Sequence, residues 1–289
     1  RLGRAIVVVD PQSFVYDPSA KSAAYQYFTA GRKTLTSYDA FGGVVQTRVL
    51  VNQTEQTWNV TTQYYDKDGR NVASIDPLGY LTTMSYDAAG NLVAQTQYAN
   101  ATPNWSATSY ALPAASAQDR TTVYAYDADN RKTSQTQINA IYSNAANGTS
   151  TTGNLTTRYT YDGVGNLTST TTPTGISTIS YYDALGRVTA VAQGNTSGAG
   201  AEASLTQYYR DAYGNVLAQV QRAQGSNYAT LGGYSAIDFV SDRITYNQYN
   251  NRGAVIASTD ADGNTVYSSY TADDHLAKQW QNVSSNGGM

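Results

Sequence analysis

The stretch SYDAAGNLVAQT, Ser85–Thr96, decides how the rest of the chain is read. Tyr86 and Asp87 are followed by two variable residues, then Gly90 and Asn91, then an alternating run in which Leu92, Ala94 and Thr96 share one face. An aspartate opening a tight turn uses its side-chain oxygen to accept backbone N–H groups two and three residues on. A glycine three residues later supplies the left-handed conformation that closes a three-residue hairpin loop with a bulge. The alternating run beyond it has the period of a half-buried strand. The stretch therefore predicts strand, hairpin turn, strand.

The phrase is repeated. Tyr38-Asp39 leads to Gly42, Tyr65-Asp66 to Gly69, Tyr161-Asp162 to Gly165 and Tyr182-Asp183 to Gly186. Tyr126-Asp127 has Asn130 in the glycine slot. Degenerate copies are read at Tyr209, which carries Arg210 as an extra residue before Asp211, at Tyr249, and at Tyr270, where Asp274 replaces glycine. Successive tyrosines lie 27, 21, 40, 35, 21, 27, 40 and 21 residues apart, so the minimal unit is 21 residues. Within that unit a second turn of the same design recurs at Asp76–Gly79, Thr172–Gly175 and Asp260–Gly263. Each unit is then two antiparallel strands, and successive units extend one meander. The longer spacings place extra residues around 99–118, 139–156, 194–204 and 222–241, away from the YD turns. They are expected to decorate the opposite edge of the ribbon. No segment carries a 3.6-residue apolar period.

Composition agrees with a β architecture built without many aliphatic side chains. Leu, Ile, Val and Phe make up less than a fifth of the 289 residues, but 26 tyrosines supply apolar faces with polar tips. Charged residues are 13%, about half the usual share, and the net charge is −3. That balance leaves no basic footprint for nucleic acid. There is no cysteine, which removes disulfides and thiolate metal sites. No apolar run reaches the roughly 18 residues of a membrane-spanning helix. The chain opens on Arg1 without a convincing signal peptide and reads as an excerpt of a longer polypeptide.

The run DPLGYLTTMSYDAAGNL, Asp76–Leu92, together with YDGVGNL, YDALGRV and YDKDGRN, resembles the YD repeat. That repeat is found in bacterial Rhs proteins, toxin-complex C components, wall-associated bacterial proteins and animal teneurins. The resemblance runs from about Tyr38 to Leu276, with Tyr16-Asp17-Pro18 as an eroded further copy. It implies an all-β fold, an antiparallel meander of hairpins curled into a spiral shell or tube. In Rhs and toxin-complex members such a shell encloses a toxic C-terminal domain; in teneurins it belongs to an adhesion ectodomain. The division expected is an N-terminal segment over 1–37, a YD-repeat sheet over 38–276 and a tail or further strand over 277–289. The autocleaving core that closes Rhs shells has no counterpart, and the DPLG at Asp76–Gly79 is an ordinary second turn.

The lone histidine, His275, follows Asp273 and Asp274 in a turn and has no serine in a nucleophile context. Equivalent aspartates of successive units would lie roughly 9–10 Å apart, two strand spacings, with nothing to single out an acid and a base. The DADGN and DKDGR stretches at Asp260 and Asp66 place glycine fourth and lack the closing glutamate of a calcium loop. Sequons at Asn100-Ala101-Thr102 and Asn154-Leu155-Thr156 would matter only in a glycosylating pathway. The motif tyrosines are read as a packed ladder. Trp58 and Trp105 are named as glycan-stacking candidates, with Trp280 a third exposed ring.

The resulting expectation is a structural, non-enzymatic segment of a YD-repeat shell, without cofactor or metal, in a secreted or cell-surface bacterial protein. Its partners would be flanking regions of the same polypeptide, identical subunits or an enclosed C-terminal domain. About 17 or 18 strands at about 4.8 Å each make a ribbon of roughly 80–85 Å, a part of a wall. The alternative is an extracellular adhesion or filament-forming module that binds glycans or cells.

Overall fold

A computed structural model describes residues 6–9, 14–16, 25–27, 33–52, 56–143, 148–195, 204–223 and 241–282. The chain divides into two compact units, Arg1–Leu155 and Thr156–Met289. Every regular element among the described residues is a strand.

The first unit contains β1 (Val7–Val9), β2 (Phe14–Tyr16), β3 (Tyr25–Tyr27), β4 (Lys33–Tyr38), β5 (Val44–Asn52), β6 (Thr57–Tyr65) and β7 (Asn71–Ile75). It continues with β8 (Tyr80–Tyr86), β9 (Leu92–Ala101), β10 (Arg120–Tyr126) and β11 (Lys132–Ser143). β4 to β10 pair in chain order, all antiparallel, with β1 added outside β4 and β11 outside β10. β2 and β3 form a separate hairpin. Of the eroded copy at Tyr16-Asp17-Pro18, only Tyr16 lies within the described residues.

β12 (Ser150–Tyr161) leads into the second unit, where β13 (Leu167–Thr171), β14 (Ile176–Tyr182), β15 (Val188–Asn195), β16 (Ser204–Arg210) and β17 (Val216–Gln221) follow. β18 (Arg243–Tyr249), β19 (Val255–Thr259), β20 (Thr265–Tyr270) and β21 (Leu276–Asn282) complete it. These strands also pair antiparallel in strict chain order. The meander expected from the 21-residue unit is the architecture observed. β21 covers most of the expected tail; residues 283–289 lie outside the described residues.

The cores are small and built on single faces. In the first unit Tyr64, Ala73, Ile75 and Leu81 cluster, with Val72, Tyr98 and Tyr110 packed against them. In the second, Ala190, Ala192 and Leu205 pack under Tyr181. Small residues are fully buried because tyrosines from adjoining strands lean over them, so tyrosine does the work that leucine does in most β proteins. Among the described residues no helix is long and apolar enough to cross a membrane.

The insertion after β9 departs from expectation. Its residues do not simply extend the ribbon's edge; they fold back over the sheet face. The Tyr64 hydroxyl donates to the carbonyls of Ser106 at 2.6 Å and Ser109 at 3.2 Å, and its ring lies 4.7 Å from that of Tyr110. The Thr102 hydroxyl donates to the Ala111 carbonyl, which closes the flap at its base. Ile75 and Leu81 are 0% and 1% exposed, in the cluster against which Tyr110 of the flap packs. The other lengthened regions, 139–156, 194–204 and 222–241, fall partly outside the described residues.

Candidate functional site

The YD turns form one edge in each unit, and their chemistry is uniform. In each, the N–H of the first turn residue donates to the carbonyl four residues on, as Asp87 does to Asn91, and the glycine N–H returns to the first residue's carbonyl, as Gly90 does to Asp87. A bulge falls directly before the motif position in all nine copies, from Ser37/Tyr38 to Ser269/Tyr270. The left-handed slot holds Gly42, Gly69, Gly90, Gly165 and Gly186 at φ between 73° and 98°, with Asn130 at 61° and Asp274 at 59°. The second turns at Asp76–Gly79, Thr172–Gly175 and Asp260–Gly263 use the same bonds.

The aspartate does more than the sequence suggests. Its Oδ1 accepts the N–H groups two and four residues on, for example from Asp68 and Arg70 to Asp66, or Leu185 and Arg187 to Asp183. The third residue's N–H goes to the aspartate's backbone carbonyl in each copy, and in the first it also donates to the carboxylate, Gly42 to Asp39 Oδ1 at 2.6 Å. Oδ2 then binds the side chain that follows the glycine. Arg70 donates Nε to Asp66 at 2.8 Å, Arg131 to Asp127 at 2.8 Å and Arg187 to Asp183 at 2.7 Å. Asn91, Asn166, Asn215 and Asn264 do the same for Asp87, Asp162, Asp211 and Asp260. This explains why Asn or Arg follows the glycine.

These bonds hold the carboxylates below the usual range. For Asp66, Asp127 and Asp183 the chief cause is the backbone N–H of the arginine four residues on. For Asp87, Asp162, Asp211 and Asp260 it is the asparagine side chain. A carboxylate so saturated with donors is a poor general base and a poor metal ligand. The calcium-like loops illustrate this: in DKDGR, the Arg70 guanidinium occupies the position of a cation, 2.8 Å from Asp66 and 3.2 Å from Asp68. Among the described residues no three His, Asp or Glu side chains converge as a metal group.

The tyrosine of the motif ties one unit to the previous one. Its hydroxyl donates to the carbonyl of the first residue of the strand that leaves the previous YD turn. The bonds run Tyr65 to Val44 (3.0 Å), Tyr86 to Asn71 (2.8 Å), Tyr126 to Leu92 (3.0 Å), Tyr182 to Leu167 (2.8 Å) and Tyr270 to Val255 (3.0 Å). Tyr249 reaches Val216 in the same way at 3.0 Å. The tyrosines are therefore half-buried rungs rather than only packed faces.

These ties correct the phase of one copy. Tyr209 pairs with Ala218 in regular register, and it is Arg210 that sits after the bulge, opposite Val216. Arg210 Nη2 donates to Val188 at 3.1 Å, the carbonyl that a motif tyrosine would have reached, while Nη1 bonds Gly214. What reads as an inserted residue is a substitution of tyrosine by arginine, both long side chains with a donor at the tip.

The remaining candidates are dispersed. Trp58, on β6, has the Arg48 guanidinium 5.0 Å over its ring, and Trp105 bridges Tyr110 within the flap. Trp280, on β21, stacks on Tyr267 at 5.6 Å. His275 is exposed, and its backbone closes the last turn with Thr271. Of the sequon asparagines, Asn100 donates its amide to Ala114, and Asn154 accepts from the backbone of Asn139.

A feature missed in the sequence fixes the necks of two insertions. Asp119 and Asp242 each immediately precede an arginine that opens a strand. Each accepts the N–H of the residue two beyond that arginine's partner, Ala99 at 2.8 Å and Ala223 at 2.9 Å. Asp119 also takes the N–H of Ser116, whereas Asp242 forms a buried ion pair with Arg222 at 2.8 Å. Two occurrences of Asp-Arg are too few to stand out as a pattern.

Residues 65–103 and 161–198 match the family model of the RHS repeat. No curated protein matches the chain. Among solved structures, a TcdB2-TccC3-TEV structure is 14% identical, with 90% of this chain and 16% of that chain covered at a TM-score of 0.33. A TcdB2-TccC3 structure is 13% identical over 96% of this chain and 18% of that chain, at a TM-score of 0.33. The Photorhabdus luminescens Tc holotoxin pore is 12% identical over 94% and 19%, at 0.26. The chain thus spans less than a fifth of each of these chains.

Proposed function

We propose that these YD/RHS repeats are a structural, non-enzymatic segment of a wall in a longer secreted or delivered polypeptide, curled so as to enclose another part of it. The observation that carries this reading is the occupation of the motif side chains. In the Tyr86 copy the tyrosine hydroxyl, both Asp87 oxygens and Asn91 are engaged in bonds that build the turn or join it to its neighbour. Residues committed in this way contribute stiffness and regular spacing. A meander in strict chain order lets each added unit lengthen the wall by two strands without disturbing those before it. The RHS-repeat matches support the same reading.

A density map of the intact polypeptide that contains this chain tests the proposal. The expected result is a hollow body with these repeats in its wall and density inside. A solid particle, or a wall open to solvent with nothing within, would refute enclosure.

A second reading, a surface adhesion or filament module, is favoured by the tips of three successive turns in the second unit. Val164, Leu185 and Tyr213 are 86%, 76% and 93% exposed. In that reading the apolar tips are contact points, and the same map would show chains joined in a repeating fibre.

A further inference from the structure

The first YD turn lacks one part that its sister turns have. Asp39 Oδ1 accepts the N–H groups of Phe41, Gly42 and Gly43, so the turn itself is complete. The residue after the glycine, however, is Gly43, where the other YD aspartates have Arg or Asn. Among the described residues, Asp39 Oδ2 accepts no hydrogen bond, and Lys67 on the rim makes no ion pair with it.

The next turn shows what the vacant position holds when filled. Arg70 places Nε against Asp66 Oδ2 at 2.8 Å, Nη1 against the Asp87 carbonyl at 3.3 Å and its guanidinium 5.0 Å over the Tyr86 ring. One unit earlier the three corresponding groups are all present: Asp39 Oδ2, the Asp66 carbonyl and the Tyr65 ring. No side chain of the turn lies among them. A concavity of about 250 Å3 remains, lined by Asp39, Phe41, Gly43, Tyr65, Asp66 and Lys67 among others. A Cβ at Gly43 would meet Asp39 Oδ2 at 2.8 Å and the Tyr65 ring at 3.2 Å, so both groups close on the glycine and would have to shift to admit a side chain from position 43 itself. Burial, and then the charge of Asp39, push the Tyr65 hydroxyl up.

The Asn250 turn provides a contrast. There the residue after the glycine is Ala254, but the aspartate has also become Asn250, and Arg252 makes the link to the next turn through Ala272 and Asp274. Charge and partner were lost together. At Asp39 the charge was kept and the partner was not.

We infer that the notch beside Gly43 receives the side chain of an arginine carried by another polypeptide segment. The guanidinium would lie on the Tyr65 ring, donate to Asp39 Oδ2 and to the Asp66 carbonyl, and rest its methylenes against Phe41, which is 94% exposed. A planar cation that stacks and donates in two directions fits this set; a lysine ammonium reproduces the charge but not the fork.

The test is a titration of the full chain with N-acetyl-arginine methylamide, followed through the ring resonances of Tyr65. The lysine and citrulline analogues serve as probes of charge and shape. Saturable shifts with the arginine probe are expected, with the lysine probe weaker and the citrulline probe inactive. Asp39→Asn keeps the turn, as Asn250 does naturally, and should weaken binding at least about tenfold, the worth of a charge-assisted hydrogen bond. Gly43→Arg should fill the notch from within and abolish binding. Equal response to citrulline, no saturable response to arginine, or undiminished binding by folded Gly43→Arg would each overturn the assignment.

Discussion

The two edges of the first unit use the same turn chemistry and yet differ in regularity. At the YD edge every turn has the same five-residue frame, from Asp39–Gly43 to Asp127–Arg131. At the opposite edge Asp76–Tyr80 has that frame, whereas the connection after β9 grows into a flap that folds over Tyr64, Ile75 and Leu81. Turn chemistry therefore does not explain the difference. The tyrosine rung does: it joins each YD turn to the one before and fixes their spacing. Tyr80, beside the second turn, makes no such tie among the described residues. An edge without rungs is free to lengthen.

Substitutions can break this comparison, and the largest effect is expected beneath the flap. Leu81→Ala removes a side chain 1% exposed and should cost about 2–5 kcal/mol in denaturant unfolding. Leu185→Ala, at an exposed YD tip, should stay within about 0.5 kcal/mol. Next, Gly90→Ala and Gly79→Ala should each lose about 1–2 kcal/mol, since both glycines sit near φ +90°. Equal losses would confirm that the two edges share turn chemistry; a loss at only one would break that claim. Third, Tyr182→Phe should cost about 1 kcal/mol through its bond to Leu167, while Tyr80→Phe costs almost nothing. A similar cost for both would remove the rung as the distinguishing feature.

The smallest effect is the response to acid. Carboxylates such as Asp66, Asp87 and Asp183 titrate lower in the folded chain than when unfolded. Below the ordinary carboxylate value of about 3.9 the unfolded chain takes up protons first, so the stability they add is complete above that value. It declines as pH falls through the lowered folded values. Melting temperature should accordingly be flat from neutral pH to about 5 and fall below about 4. Asp87→Asn should soften the fall, and an unchanged slope would detach these carboxylates from acid stability.

The turns were legible because their chemistry is local. Asp87 and Gly90 act within a few residues, so the frame and the strand order followed from spacing. The link that the residue after the glycine makes to the next turn was not legible, because Arg70 reaches the Asp87 carbonyl 17 residues away. The phase of the Tyr209 copy misled for a related reason. Tyr209 reads as the motif tyrosine, and it takes the register and the Val188 contact to show that Arg210 holds the position. The flap was hidden as well, since its anchor joins Tyr64 to Ser106 across 42 residues. Glycan stacking at Trp58 and Trp105 rested on ring type alone, and the two rings have separate partners.

The central claim, that the motif tyrosine joins one hairpin unit to the last, is tested most directly by amide hydrogen exchange in Tyr86→Phe. Its hydroxyl bond to Asn71 links the β8–β9 hairpin to β7. Loss of that bond should raise exchange in β7, β8 and the Asp87 turn and leave the strands of the second unit at wild-type protection. Unchanged exchange in β7 and β8, or a uniform rise along the whole chain, would contradict the account.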